Sequence, residues 1–249
     1  MKKLAFGWAM AILASAGGAV REEARGAPVL VELFTSEGCS SCPPADALLE
    51  RLDGTGAIPG AAVIVLSEHV DYWNHIGWTD PYSSAAFTAR QQEYARRFGL
   101  GSVYTPQMIV DGVKEFVGNE PGQAISAITA ASRQEKIAVR LLRSSGAVRV
   151  EVDPLPNSAG RHKAAVCLAL AQNSGTSNVA QGENKGRQLH HVAIVRRLEE
   201  IGSVGSRAAF TKEVALERLG NLDGMRVVAF VQEAGSGRIW GAAMVGGTP

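Results

Sequence analysis

The chain has 249 residues, 46% of them hydrophobic and 20% charged, with a formal net charge of +1. That length can build one large or two small domains with a sizeable core, and the near-neutral charge gives no electrostatic reason to expect nucleic acid. Three cysteines, Cys39, Cys42 and Cys167, are too few and the wrong parity for a disulfide scaffold.

The first element is Lys2-Lys3 followed by an apolar run from Leu4 to Leu13 and small residues to Ala19. This is the pattern of a secretory signal, expected to span residues 1–19 with cleavage near 16–19 or as late as 27. The run is too short for the ~20 residues that a spanning helix needs, and no later stretch is long and apolar enough. Losing residues 1–16 removes two lysines and no acids, so the net charge becomes −1. A periplasmic or secreted location follows, where disulfides persist, with no membrane contact after cleavage.

"VLVELF" (29–34) reads as a buried strand, and "CSSC" (39–42) follows at once. Apolar residues at Ala45, Leu48, Leu49 and Leu52 have helical spacing. "AVIVL" (62–66) is a second strand. "SSAAFTARQQEYARRFG" is a helix with Ser83 or Ser84 as its cap and Gly99 as its stop. Met108–Val110 and Val113–Val117 form a hairpin around Asp111-Gly112, and a helix follows over 121–133. Beyond residue 135 the texture changes to seven strand-like runs near 137–142, 147–152, 163–171, 189–197, 208–216, 225–233 and 238–245. The expected organisation is an α/β domain over 28–135 and an all-β, sandwich-like domain over 136–249.

Thiol–disulfide exchange needs an exposed thiolate, a nearby resolving thiol and a stabilised negative sulfur. A CxxC opening a helix supplies these through the amides and dipole of the first turn. Pro43 and Pro44 mark that turn, which places Cys42 at the helix start and Cys39 just outside it, facing solvent. Cys39 is then the attacking sulfur and Cys42 the resolver, closing a Cys39–Cys42 disulfide when oxidised. Glu37 would oppose thiolate formation.

"TPQMIVDG" resembles the thioredoxin-like pattern in which a cis-proline opens a strand beside the CxxC. The resemblance implies a cis Pro106 and a substrate-binding role for Thr105 and Pro106. The chain as a whole is similar to the exported bacterial family called domain of unknown function 1223, through "VELFTSEGCSSCPPAD", "HVDYWNHIGWTDPYSSAAFTARQ", "VYTPQMIVDG", "GENKGRQLHHVAIVRRL" and "VVAFVQEAGSGRIWGAA". That resemblance implies a thioredoxin-like domain followed by a β-rich domain, and brings no established reaction.

"SEHVDYWNHIGWTDPY" should flank the CxxC, because strand C-terminal ends share one side of a parallel sheet. Three readings compete for it. Its aromatics form a local core; or they wall a substrate site, with Trp73 in contact and His69 moving a proton; or Cys39, Cys42 and His69 or His75 form a soft site for copper or zinc. Glu32 resembles the buried acid with which thioredoxins shuttle a proton, with an edge position as the alternative. Cys167 reads as a buried, inert thiol. "QGENKGRQLHH" is a solvated hairpin loop, an inter-domain contact or a polar site.

The reading is a thiol–disulfide oxidoreductase without bound cofactor, whose partners are a protein or small thiol/disulfide substrate and a redox partner. The alternatives are a non-catalytic binding module with a structural disulfide and a soft-metal carrier.

Overall fold

The computed structural model describes residues 26–54, 58–160 and 162–246. The expected signal segment therefore lies outside the described residues. The fold is mixed α/β and mostly strand. In chain order the elements are β1 (Ala27–Thr35), α1 (Pro43–Leu52), β2 (Ala61–His69), α2 (Ala85–Phe98), β3 (Gln107–Val110), β4 (Lys114–Val117) and α3 (Pro121–Ala131), then β5 (Val139–Arg143), β6 (Ala147–Val152), β7 (Ala164–Asn178), β8 (Gln188–Val204), β9 (Phe210–Ala215), α4 (Leu216–Leu219), β10 (Met225–Glu233) and β11 (Ile239–Gly246).

Eight strands make one large sheet in the order β11-β10-β7-β8-β2-β1-β3-β4, and β5-β6-β9 make a small one. β1 and β2 are parallel, with Ala27 opposite Ala61 and Thr35 opposite His69. β3 returns antiparallel to β1 and pairs with β4. The two halves of the chain meet where β2 runs parallel to β8, at Ser67 opposite Ile194. The second-half strands do form two packed layers. One of those layers is the continuation of the first-half sheet rather than a separate body.

Alternation along β1 decides which helix covers which face. Val29, Val31 and Leu33 pack with Ala45, Leu48 and Leu49 of α1 and with Ala124 and Ile128 of α3. Phe34, on the opposite face, packs with Tyr94 of α2. Ser84 caps α2 by accepting from the Ala86 amide, and Gly99 ends it in the left-handed region, as its sequence predicts. Farther along the sheet, Val166 and Leu168 of β7 and Val227 and Ala229 of β10 pack against Val148 and Val150 of β6. The halves are also clasped at Arg226 of β10, which donates twice to Asp53 just after α1, at 2.6 and 3.0 Å.

Candidate functional site

Cys39 and Cys42 are disulfide-bonded, with Cα atoms 5.4 Å apart. Cys42 is the N-cap of α1, with Pro43 and Pro44 in its first turn, where a missing N–H costs nothing. The Ala45 and Asp46 amides both donate to the Cys42 carbonyl, at 2.8 and 3.1 Å. The helix start is therefore where the prolines predicted it.

The predicted exposure of Cys39 is not observed: Cys39 is 1% and Cys42 0% exposed. Distant segments cover them. The turn between β7 and β8 lies on the CxxC loop, and the buried Asn184 side chain donates to the Glu37 and Cys39 carbonyls at 2.8 and 2.9 Å. Next to it, Glu183 accepts from the Ser40 amide at 3.0 Å. From the other side Trp73 presses on Gly38, where a Cβ would stand 2.9 Å from the Trp73 Cβ. Only glycine fits that approach. "QGENKGRQLHH" is thus a largely exposed turn that contacts the cysteine loop through Asn184 and Glu183, with Asn184, Leu189 and His191 buried.

The Thr105–Pro106 peptide is cis. Trp73 ties this turn to the same neighbourhood, its indole N–H donating to Thr105 Oγ1 at 2.8 Å. Gly118 lets the turn close on α1, since a Cβ there would meet Leu33 at 2.8 Å, Pro106 at 3.2 Å and Ala45 at 3.3 Å.

A buried acid–histidine cluster flanks the cysteine loop. His191, early in β8, has Nε2 3.3 Å from Glu37 Oε1 and Nδ1 3.7 Å from Asp46 Oδ2. It therefore bridges the carboxylate before the CxxC and the one after it. Burial alone would lower its pKa, but Asp46 and Glu37 outweigh burial and push it up to about 10. His191 also meets His69 edge-on, ring centroids 4.6 Å apart. His69 Nδ1 lies 2.7 Å from Asp80 Oδ2. The same oxygen accepts from the Glu37 amide at 2.9 Å, and Trp78 donates to Glu37 Oε2 at 2.8 Å. Burial works against ionisation of Asp80, yet His69 and the Glu37 and Tyr82 amides outweigh it and hold its carboxyl below the ordinary value.

Other predicted residues lie elsewhere. Glu32 is fully buried rather than at an edge. It accepts from Arg90 Nε at 2.7 Å and from Tyr94 Oη at 2.6 Å. Those partners belong to α2, across the sheet from α1, so the structure does not bring Glu32 to the cysteines. His75 is exposed, its Nδ1 2.7 Å from the Tyr72 carbonyl. Among the described residues no group of three or more His, Cys, Asp or Glu is arranged to hold a metal ion, so the Cys39, Cys42, His69 and His75 alternative has no assembled site. Cys167 is buried, and desolvation pushes its thiol up to about 12. Its burial is as predicted. A groove of about 540 Å³ between α3 and the β3–β4 hairpin, lined by Val113, Ala127 and Arg238, lies away from this chemistry.

Sequence reasoning did not single out Asp46, Trp78 or Asp80, and it named Asn184 and His191 only within a polar run. The usable signal was that run's density of polar residues just before a strand.

A family model described as "Protein of unknown function (DUF1223)" matches residues 30–232. The chain is similar to a protein of Agrobacterium tumefaciens solved by X-ray crystallography, at 29% identity and a TM-score of 0.76, covering 90% of this chain and 96% of that one. It is also similar in fold to HBP35 of Porphyromonas gingivalis, at 16% identity and a TM-score of 0.56, covering 88% of this chain and 75% of that one. Among curated proteins none matches.

Proposed function

The chain belongs to the DUF1223 family of proteins of unknown function, and we propose that it is an exported thiol–disulfide oxidoreductase whose centre is the Cys39–Cys42 pair. The observation that carries the reading is the placement of this disulfide at the N-terminus of α1, directly after β1, with Trp73 linking its loop to the Thr105–Pro106 turn. The first half is read as thioredoxin-like. In support, β1-α1-β2-α2-β3-β4-α3 places β1 between parallel β2 and antiparallel β3.

In the proposed exchange, a partner thiolate attacks Cys39 Sγ. The Cys39–Cys42 bond breaks and Cys42 leaves as a thiolate at the positive end of the α1 dipole, with Pro43 and Pro44 offering it no N–H. A second partner thiol then displaces Cys39, so the partner becomes a disulfide and this protein a dithiol, each sulfur taking one proton. The reverse sequence oxidises a dithiol partner. Trp73, Thr105 and Pro106 receive the partner, and the Asn184 turn must move for the partner to reach Cys39. His69 Nδ1 is engaged by Asp80, which leaves its buried Nε2 without a hydrogen-bond partner. The Cys39→Ser variant should lose insulin-reduction and scrambled-ribonuclease activity. Activity equal to that of the unmodified protein would overturn the assignment.

The burial of both sulfurs favours a second reading, a binding module whose disulfide is permanent. A reduction potential below about −300 mV marks that case.

A further inference from the structure

The two carboxylates around the CxxC have one buried cation between them, and it comes from the other half of the chain. Glu37 lies two residues before Cys39 and Asp46 four residues after Cys42. Both are buried, as is His191. No other Lys, Arg or His makes an ion pair with either carboxylate among the described residues. The groups packed around His191 are Glu37 from the cysteine loop, Asp46 from α1, His69 from β2 with Asp80 behind it, and Tyr82, whose ring centroid is 5.8 Å away.

We propose that His191 is a positioning residue of the thiol–disulfide centre, bridging Glu37 and Asp46 so that the CxxC loop is held on α1 and a released sulfur faces less uncompensated negative charge. The inference deepens the oxidoreductase reading and rests on it for its biological meaning. The physical chemistry is general. A thiolate forms more readily beside a cation and less readily beside carboxylates. Protonated His191 offsets one of two anions; without it both stand against the sulfur, or one must take up a proton. The upward push on the His191 pKa has the same origin in geometry, two carboxylates on one ring.

The test is the pKa of the first thiolate formed in the reduced protein, followed by thiolate ultraviolet absorbance in a Cys167→Ala background. His191→Gln should raise that pKa, leaving the thiolate population at neutral pH about tenfold smaller. Adding Glu37→Gln to His191→Gln should restore it, because the anion left uncompensated is then gone. A purely structural role predicts that the second change gives no recovery. An unchanged thiolate pKa in His191→Gln, or no restoration in the double variant while its fold is intact by circular dichroism, overturns the proposal. If His191→Gln does not fold, the pair Glu37→Gln and Asp46→Asn in otherwise unmodified protein decides it, since each should lower the thiolate pKa. These measurements read charge at the sulfur whether or not the protein reduces insulin, so they fail separately from the oxidoreductase reading.

Discussion

Two buried charge networks lie on opposite sides of the β1–β2 pair, and they differ in how tightly they are made. On the α2 side, Arg90 donates to Glu32 at 2.7 Å, to Gln232 at 3.0 Å and to Tyr94 at 3.1 Å, while Tyr94 donates to Glu32 at 2.6 Å. Each bond is short and directed, and the network joins α2, β1 and β10. Beside it Glu68 is held well above the ordinary carboxylate range, first by burial and further by Glu32, with Arg90 opposing. On the cysteine side, His191 stands 3.3 and 3.7 Å from its two carboxylates, and neither ring nitrogen has an aligned hydrogen bond. A directed network resists movement and clasps the halves. The looser one holds the cysteine loop by charge rather than by directed bonds.

The contrast is broken most severely at Arg90. Arg90→Met should cost about 3–5 kcal/mol, because Glu32 is left buried without its cation, and denaturant unfolding reads the loss. A cost below about 1 kcal/mol would show that the network is not the clasp described.

His191 gives the next largest effect, and it depends on pH. Its folded pKa of about 10 stands above the ordinary 6.5. Stability from this group is therefore complete below pH 6.5 and is lost as pH rises toward about 10. Unmodified protein should lose stability progressively across that window, and His191→Gln should remove most of the slope. Equal slopes in the two proteins would assign the pH dependence elsewhere.

Asn184→Ala removes two buried hydrogen bonds from the cysteine loop. We expect about 1–3 kcal/mol of destabilisation and disulfide reduction by a small thiol faster by about tenfold. An unchanged rate means that the β7–β8 turn does not limit access. The smallest effect is expected from Trp73→Phe, which loses one 2.8 Å bond to Thr105. It should cost about 1 kcal/mol and weaken partner binding more than turnover, read as KM rising with kcat held.

Much of the first half was legible because its signals are local. Pro43 and Pro44 locate the start of α1, and Ser84 and Gly99 bound α2. The pairing of β3 with β4 follows from the short turn at Asp111-Gly112. The seven second-half strands were legible from their turn residues, but their partners were not. For Glu32 the sequence left a buried and an edge position open, and the structure buries it. Alternation puts it with Leu30 and Phe34, yet nothing local says which helix covers that face.

By itself the sequence determined where the helices begin and end, which runs become strands, and that two cysteines open a helix. These depend on neighbours a few residues apart, through backbone preference and periodic burial. Only the tertiary structure decided that Cys39 is covered and that its loop is charge-compensated. Asn184 lies 145 residues from the Cys39 carbonyl that it holds. It and His191 reach the site because β8 pairs with β2, and no local pattern encodes such pairing. Long-range strand pairing depends on the burial of both faces at once, so it becomes visible only in the folded chain.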